Sequence, residues 1–169
     1  MTGAPSALGP WAFALGLYER PGVADRCLHL QDTHGADVLL VLHGFWRAVD
    51  GIAIDEAGAA AAVARVRPWR EAAIRPLRAV RRSLKPGVAG IESERAAAFR
   101  ERVKALELEA ERIGLEALAE DSPGRPDDAA TDARALAVAN VSALLHADGV
   151  AVDAAVADAL AGLARAAVT

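Results

Sequence analysis

The stretch WREAAIRPLRAVRRSLK, residues 69–85, predicts an amphipathic helix around which the rest of the chain can be arranged. Its apolar residues recur at spacings of three and four, which places them on one stripe of a helix: Trp69, Ala73, Leu77, Val80 and Leu84. The remaining face is basic, with Ile74 as its one sizeable apolar residue. Residues 65–85 hold eight basic side chains and one acid, although the chain has a net charge of −4. This concentrated basic charge needs an acidic partner.

An acidic sequence at residues 107–112, E-L-E-A-E-R, is the natural counterpart of the basic helix. Glu107 and Glu111 are four residues apart, and so are Arg78 and Arg82. Like charges at this spacing lie on the same face of a helix, so the two members of each pair repel each other. The short linker at residues 87–90 allows the two helices to pack antiparallel. We therefore expect at least one of these arginines to form a partly buried salt bridge with Glu107 or Glu111. The alternative is a divalent metal held by the two glutamates. Helix-bundle metal sites usually add a Glu-x-x-His element, which is missing here, and we predict no metal.

Composition and helical periodicity predict an all-α single domain over residues 1–169, a bundle of about seven helices joined by short loops. Residues 1–9 are expected to be loose, and residues 121–128 to form a loop before two C-terminal helices. The first predicted helix begins at Pro10 and is broken by Pro21-Gly22, and the others run over residues 23–32, 38–49, 56–85, 93–119, 129–146 and 153–167. Asp37 and Asp55 are suited to cap the third and fourth. Because proline lacks a backbone N–H, we expect a break or kink near Pro68 and a milder bend at Pro76.

The core is expected to centre on the third helix, which is apolar on nearly every side at its start. Residues 38–42 could also form a buried strand, but no second strand-like run exists to pair with it, so we favour a helix. The second helix should bury Cys27 and Leu28, with Leu30 as a further candidate. The fifth helix has an apolar seam of alternating spacings: Phe99, Val103, Leu106, Ala110, Ile113 and Ala117. Leu108 and Leu115 lie off that seam, so this helix is expected to be covered on two sides.

Charge and cysteine content narrow the class of protein. The sequence pI of about 5.6 argues against a protein that coats nucleic acid. One cysteine, Cys27, excludes an intramolecular disulfide and suits a reducing compartment. The N-terminal sequence lacks the basic region of a signal peptide, and no apolar run, residues 38–42 included, is long enough to cross a bilayer. We expect a cytoplasmic protein that does not bind membrane.

Three of the four histidines fall within fifteen residues, next to two aspartates, but at spacings that match no metal or catalytic motif. This second cluster comprises His29, Gln31, Asp32, His34, Asp37 and His43. The interpretation we favour is a helix end, a turn at Gly35 and a helix cap. Cys27 lies in an apolar context and is expected to pack as a small hydrophobic residue.

Several motifs in the same order resemble a family of short, uncharacterised proteobacterial proteins, a domain of unknown function. They are W-A-F-A-L-x-L-Y, P-G-V, C-L-x-L-Q-D and D-V-x-L-x-L within residues 11–42, then Trp46, Trp69-Arg70, P-L-R-x-x-R-R-x-L-K at 76–85 and E-L-E-A-E-R at 107–112. The resemblance covers residues 11–120 well and the remainder loosely. It implies that one set of polar residues belongs to the family pattern: Gln31, Asp32, Arg78, Arg82, Glu107 and Glu111. It implies no activity for them.

The sequence favours a non-enzymatic helical module of the bacterial cytoplasm that docks on a protein partner of unknown identity. The alternative is a small enzyme or metal-binding protein using Asp32, Glu107 and Glu111, so enzymatic activity stays open. A third reading is contact with phosphate or RNA through the basic face; its anion-binding candidates are Arg70, Arg75, Arg81 and Lys85, and nucleic acid is the less favoured partner. No cofactor is implied. Convergence of Asp32 and the two glutamates on one pocket would favour an enzyme.

Overall fold

A computed structural model describes residues 8–120, the backbone of residues 125–126, and residues 132–168. Most of the expected loose start and of the expected loop at residues 121–128 lies outside these ranges. The described helices are α1 (Pro10–Tyr18), α2 (Val23–His34), α3 (Val38–Val49), α4 (Glu56–Trp69), α5 (Arg75–Ser83), α6 (Ser93–Glu120), α7 (Ala133–Ala147) and α8 (Ala154–Ala167). A π-helical turn, Arg70–Ile74, joins α4 to α5, so the described chain forms seven helical rods. The all-α prediction is confirmed.

Helix α3 is the centre of the bundle, as its apolar sequence predicts. Leu40, Val41 and Phe45 are completely buried. The carboxylate of Asp37 accepts a hydrogen bond from the backbone N–H of Leu39 at 2.8 Å and so caps the helix as predicted. Helix α3 also packs closely against α7. Gly44 permits this close approach, because a Cβ atom at this position would lie only 2.7 Å from Cγ2 of Val141.

A buried amide ties the loop after α3 to α7. Asn140 accepts a hydrogen bond from the backbone N–H of Ile54 at 2.8 Å and donates one to the carbonyl of Ile52 at 2.9 Å. The same loop contains the two-residue strand β1 (Ile52–Ala53), which pairs antiparallel with β2 (Arg125–Pro126). Backbone groups that would be costly to bury unpaired are thereby satisfied.

The helical stretch from residue 56 to 83 does not break at Pro68, so of the two outcomes expected there the break is excluded. It continues through both prolines, and the distortion falls between them as the π turn, where the N–H of Arg75 donates to the carbonyl of Arg70. The wider turn changes the helical register. Arg70 and Ile74, expected on the basic outer face, are therefore buried, with 3% of each exposed. Trp69 and Val80 of the expected inner stripe are 37% and 42% exposed, and α5 buries no residue fully.

The predicted seam of α6 is wrong for half of its residues. Val103 and Ala110 are buried, but Phe99, Leu106 and Ile113 are 47%, 57% and 39% exposed. The buried face of α6 is rotated around the helix axis relative to the predicted seam, so that it includes Glu107. It consists mainly of small residues and leucines: Ala96, Val103, Glu107, Ala110, Gly114, Leu115 and Leu118. The charge of Glu107 tolerates burial because arginines of α5 neutralise it. In α2, Cys27 is buried as expected, whereas Leu28 is 53% exposed.

Candidate functional site

A cavity of about 370 Å³ lies between α1, α2, α3, α5 and α6. One wall is apolar and includes Trp11, Leu15, Tyr18, Leu28, Leu42 and Leu108. The other wall is polar and includes Gln31, Arg78, Arg81, Lys104, Glu107 and Glu111. A cavity of this size, mostly apolar with a few converging polar groups, has the general character of a binding site. We call it the α1–α6 cavity.

The polar wall is a network of ion pairs. Arg78 donates from Nε to Oε1 of Glu107 at 2.9 Å and from Nη2 to Oε1 of Glu111 at 2.6 Å. Arg81 binds the other oxygen of Glu107. These groups are largely shielded from water: the side chain of Arg78 is 22% exposed and that of Glu107 6%. The predicted salt bridge between α5 and α6 is therefore present, through Arg78.

The two glutamates of this wall have pKa values shifted in opposite directions. Burial raises the pKa of Glu111, and the charge of Arg78 offsets this only in part. Burial acts in the same direction on Glu107, but the hydrogen bonds from Arg81 and Arg78 outweigh it, so the pKa of Glu107 is lowered. Neighbouring carboxyl groups thus differ in proton affinity within one cavity.

The apolar wall contains a phenol in contact with a thiol. The Tyr18 hydroxyl lies in hydrogen-bond contact with Cys27, and burial is the main cause of the raised pKa of Tyr18. Burial also raises the pKa of Cys27 to about 11, so the thiol stays protonated at neutral pH. Since the thiolate is the nucleophilic form of cysteine, this arrangement does not activate Cys27.

Four of the six candidate polar residues converge on the cavity: Gln31, Arg78, Glu107 and Glu111. The other two do not line it. Arg82 pairs with Asp32 at 2.6 Å, and both side chains are more than half exposed. Of the two arginines expected to reach the glutamates, only Arg78 does so, and Arg82 pairs with Asp32. Convergence of Asp32, Glu107 and Glu111 on one pocket would have favoured an enzyme. The two glutamates line the cavity, but Asp32 does not.

The basic face carries less free positive charge than its sequence suggests. Of the four anion-binding candidates, Arg75 pairs with Glu71 at 2.7 Å and Arg81 binds Glu107. Lys85 lies exposed after α5. Arg70 is buried and contacts two carboxylates, Asp37 at 2.7 Å and Asp148 at 2.8 Å. Three of the four candidates are thus engaged by acids, which weakens the case for anion contact here.

The histidine cluster separates in the fold. The rings of His29 and His34 lie edge-on to each other near the exposed end of α2, with their centres 5.7 Å apart. His43 is fully buried on α3, where burial, and secondarily the charge of Arg47, lowers its pKa to about 4. Over residues 8–120 and 132–168, no three His, Cys, Asp or Glu side chains come together in a way that could hold a metal ion.

The apolar wall of the cavity was not predicted from the sequence. Trp11, Leu15 and Tyr18 share a face of α1 as predicted, but that face borders a cavity, and 47% of Leu15 is exposed. Helical spacing identifies a shared face but cannot distinguish a packed core from a cavity wall. The contact of Arg70 with Asp37 and Asp148 was also missed, because nothing local in the sequence connects residues so far apart.

The model of one protein family, described as a protein of unknown function (DUF2390), matches residues 10–118. This range contains every residue that lines the α1–α6 cavity, from Trp11 to Glu111. No curated protein and no solved structure matches the chain. Among the described residues, no helix has the length and apolar character needed to span a membrane.

Proposed function

The chain belongs to the DUF2390 family, whose function is unknown, and from that premise we propose a non-enzymatic protein-interaction module. The α1–α6 cavity receives the apolar face of an amphipathic helix from a protein partner. Helix-in-groove recognition of this kind uses apolar side chains of the partner that recur at spacings of three and four.

The observation that carries this proposal is the half-exposed apolar rim of the cavity. Leu15, Leu28 and Leu108 are 47%, 53% and 50% exposed, and they come from three different helices. Grouped exposure of large apolar side chains on a soluble domain marks an interaction surface. A small enclosed ligand would leave this rim in water, whereas a helix laid across the mouth covers it.

The ion pairs of the polar wall support binding in preference to chemistry. Arg78 and Arg81 are both engaged by Glu107, and Arg78 also by Glu111. Groups committed to each other hold a rigid wall against which a partner helix packs. Lys104, 64% exposed at the same mouth, supplies a cation for an acidic residue at the edge of that partner helix.

Affinity purification from the native cell tests the proposal when rim variants are compared with a matched surface variant. Leu28→Asp and Leu15→Asp each place a charge on the rim. Ile91→Asp is the control, because Ile91 is 55% exposed and does not line the cavity. We expect one protein to be retained by the wild type and by Ile91→Asp, and to be lost with both rim variants.

The retained protein is then purified and its helices are made as peptides. One amphipathic peptide should bind the wild type and Ile91→Asp equally, and should bind Leu28→Asp at least about tenfold more weakly. If all four baits retain the same proteins, or if no helix of the retained protein binds, the module does not use this cavity and the proposal is wrong.

A second candidate, acid–base catalysis, is favoured by the opposite pKa shifts of Glu107 and Glu111. Paired carboxyl groups whose environments separate their pKa values are typical of an acid and a base at one site. The test is mass spectrometry of a metabolite extract incubated with the wild type or with Glu111→Gln. A compound consumed by the wild type alone would favour the enzyme, and identical extracts would count against it.

A further inference from the structure

Helix α6 carries an exposed apolar stripe that its own fold leaves uncovered. Phe99, Leu106 and Ile113 are seven residues apart, and each is at least 39% exposed. A seven-residue apolar repeat places side chains along one line of a helix, the geometry by which helices pack on one another. The residues of α6 that line the α1–α6 cavity, Lys104, Glu107, Leu108 and Glu111, are not on this line. The stripe is therefore a separate surface.

A row of charges runs beside the stripe with the same spacing of seven. It consists of Arg95, Arg102, Glu109 and Glu116. Its first half is basic and its second half acidic, so the row reverses sign about the middle of the helix, near Leu106. The guanidinium of Arg102 lies 5.6 Å from the centre of the Phe99 ring, which keeps this charge against the stripe.

This arrangement fits a second copy of the same helix in the antiparallel direction. A two-fold axis at Leu106 places Leu106 on its own copy and Phe99 opposite Ile113. In the same register Arg102 lies within one residue of the position opposite Glu109, and Arg95 within one residue of the position opposite Glu116. The offset is roughly 1.5 Å along the helix, which long charged side chains can span. In a parallel two-fold pair packed along the stripe, the two rows would lie on opposite sides of the interface, and their charges would not meet. The charge pattern therefore selects one partner and one direction.

We propose that the chain forms a homodimer through an antiparallel, two-fold pairing of α6 along Phe99, Leu106 and Ile113. A two-fold interface is self-complementary, and a row whose sign reverses at its centre meets that requirement. Three residues of the row already form ion pairs within one chain: Arg112 contacts Glu109 at 2.7 Å and Glu116 at 3.3 Å, and Arg95 contacts Glu92 at 3.4 Å. These pairs are exposed and exchange readily for contacts across the dimer. The stripe ends in acids, Glu92 and Glu120, which limits the interface to the segment between them.

Sedimentation equilibrium of the full chain gives the first test. We expect the wild type to be a dimer whose dissociation depends on protein concentration. Leu106→Glu places like charges on the two-fold axis and should raise the dissociation constant by more than about tenfold. Glu101→Arg changes an exposed residue of α6 that is outside both the stripe and the row, and it should leave the dissociation constant unchanged. Circular dichroism confirms that each variant remains helical.

Complementary charge variants test the row itself. Arg95→Glu/Arg102→Glu makes the row wholly acidic, and Glu109→Arg/Glu116→Arg makes it wholly basic. Neither protein should dimerise alone, and an equimolar mixture should restore a heterodimer. Monomers that persist in the mixture would show that the row does not face its copy.

Cysteine cross-linking tests the direction. The native Cys27 is buried and does not compete. In an antiparallel dimer, a Phe99→Cys chain mixed with an Ile113→Cys chain forms a disulfide-linked heterodimer. Neither variant links to itself, because fourteen residues of helix separate the two positions by roughly 21 Å. Self-linking by each variant alone would indicate a parallel pair. That result, or a wild type that stays monomeric at all concentrations, overturns the proposal.

Discussion

Arg70, buried on the π-helical turn, donates hydrogen bonds from both of its Nη atoms to the two carboxylate oxygens of Asp148 at the end of α7, at 2.9 and 2.8 Å. The same guanidinium reaches Asp37, the cap of the central helix α3, at 2.7 Å. One side chain thus links three parts of the bundle that are distant in sequence.

Removing this cation should be strongly destabilising. Arg70→Met leaves the Asp148 side chain, 7% exposed, without its main partner. Loss of one member of a buried ion pair costs about 3–5 kcal/mol. We expect the lower end, because Arg67 approaches the same carboxylate at 3.8 Å. Arg75→Met is the control: its pair with Glu71 is more than half exposed and should change the free energy of unfolding by less than about 1 kcal/mol. Equal urea midpoints for the two variants would contradict the prediction.

The ion pairs of the α1–α6 cavity should be strongly coupled. A double-mutant cycle with Arg78→Ala and Glu107→Ala measures this coupling. Both side chains are largely buried, so we expect more than the ~0.2–1 kcal/mol of an exposed pair. The cycle for Arg82 and Asp32, which are each more than half exposed, provides the comparison. A coupling for Arg78 and Glu107 no larger than that of the exposed pair would mean that the polar wall is not rigid.

Two leucines of α6 should differ in their effect on stability. Leu115 is completely buried, and Leu115→Ala should cost about 2–5 kcal/mol. Leu106 is 57% exposed, so Leu106→Ala should cost much less at a protein concentration where the chain is monomeric. Thermal unfolding at low concentration measures both. A large loss for Leu106→Ala under those conditions would place this residue in the monomer core.

Stability should fall as His43 becomes charged. Its folded pKa, about 4, lies below the ordinary value of 6.5, so the unfolded chain binds more protons between those values. The free energy of unfolding therefore decreases as pH falls from about 6.5 to about 4. A shift of this size corresponds to a loss of about 3 kcal/mol. Urea unfolding across this range should give a shallower pH dependence for His43→Leu. Parallel curves for the two proteins would rule out His43 as the cause.

The order of the helices, their caps and their class follow from local sequence. Asp37 and Asp55 cap their helices because a short acceptor before an apolar run satisfies free backbone N–H groups wherever it occurs. The salt bridge between α5 and α6 was also predictable. Like charges four residues apart are unfavourable alone, and a short linker brings the oppositely charged helix beside them.

Tertiary structure decided which face of each helix is covered. Phe99 and Val103 belong to one apolar pattern, yet only Val103 is buried, because burial depends on where α1, α3 and α5 lie around α6. The π turn after Trp69 changes the register of α5 by an amount that 3.6-residue periodicity does not contain. The α1–α6 cavity forms where five helices meet without packing completely against one another. Local periodicity indicates that a face is apolar, whereas packing among distant elements determines whether it becomes core, cavity wall or exposed surface.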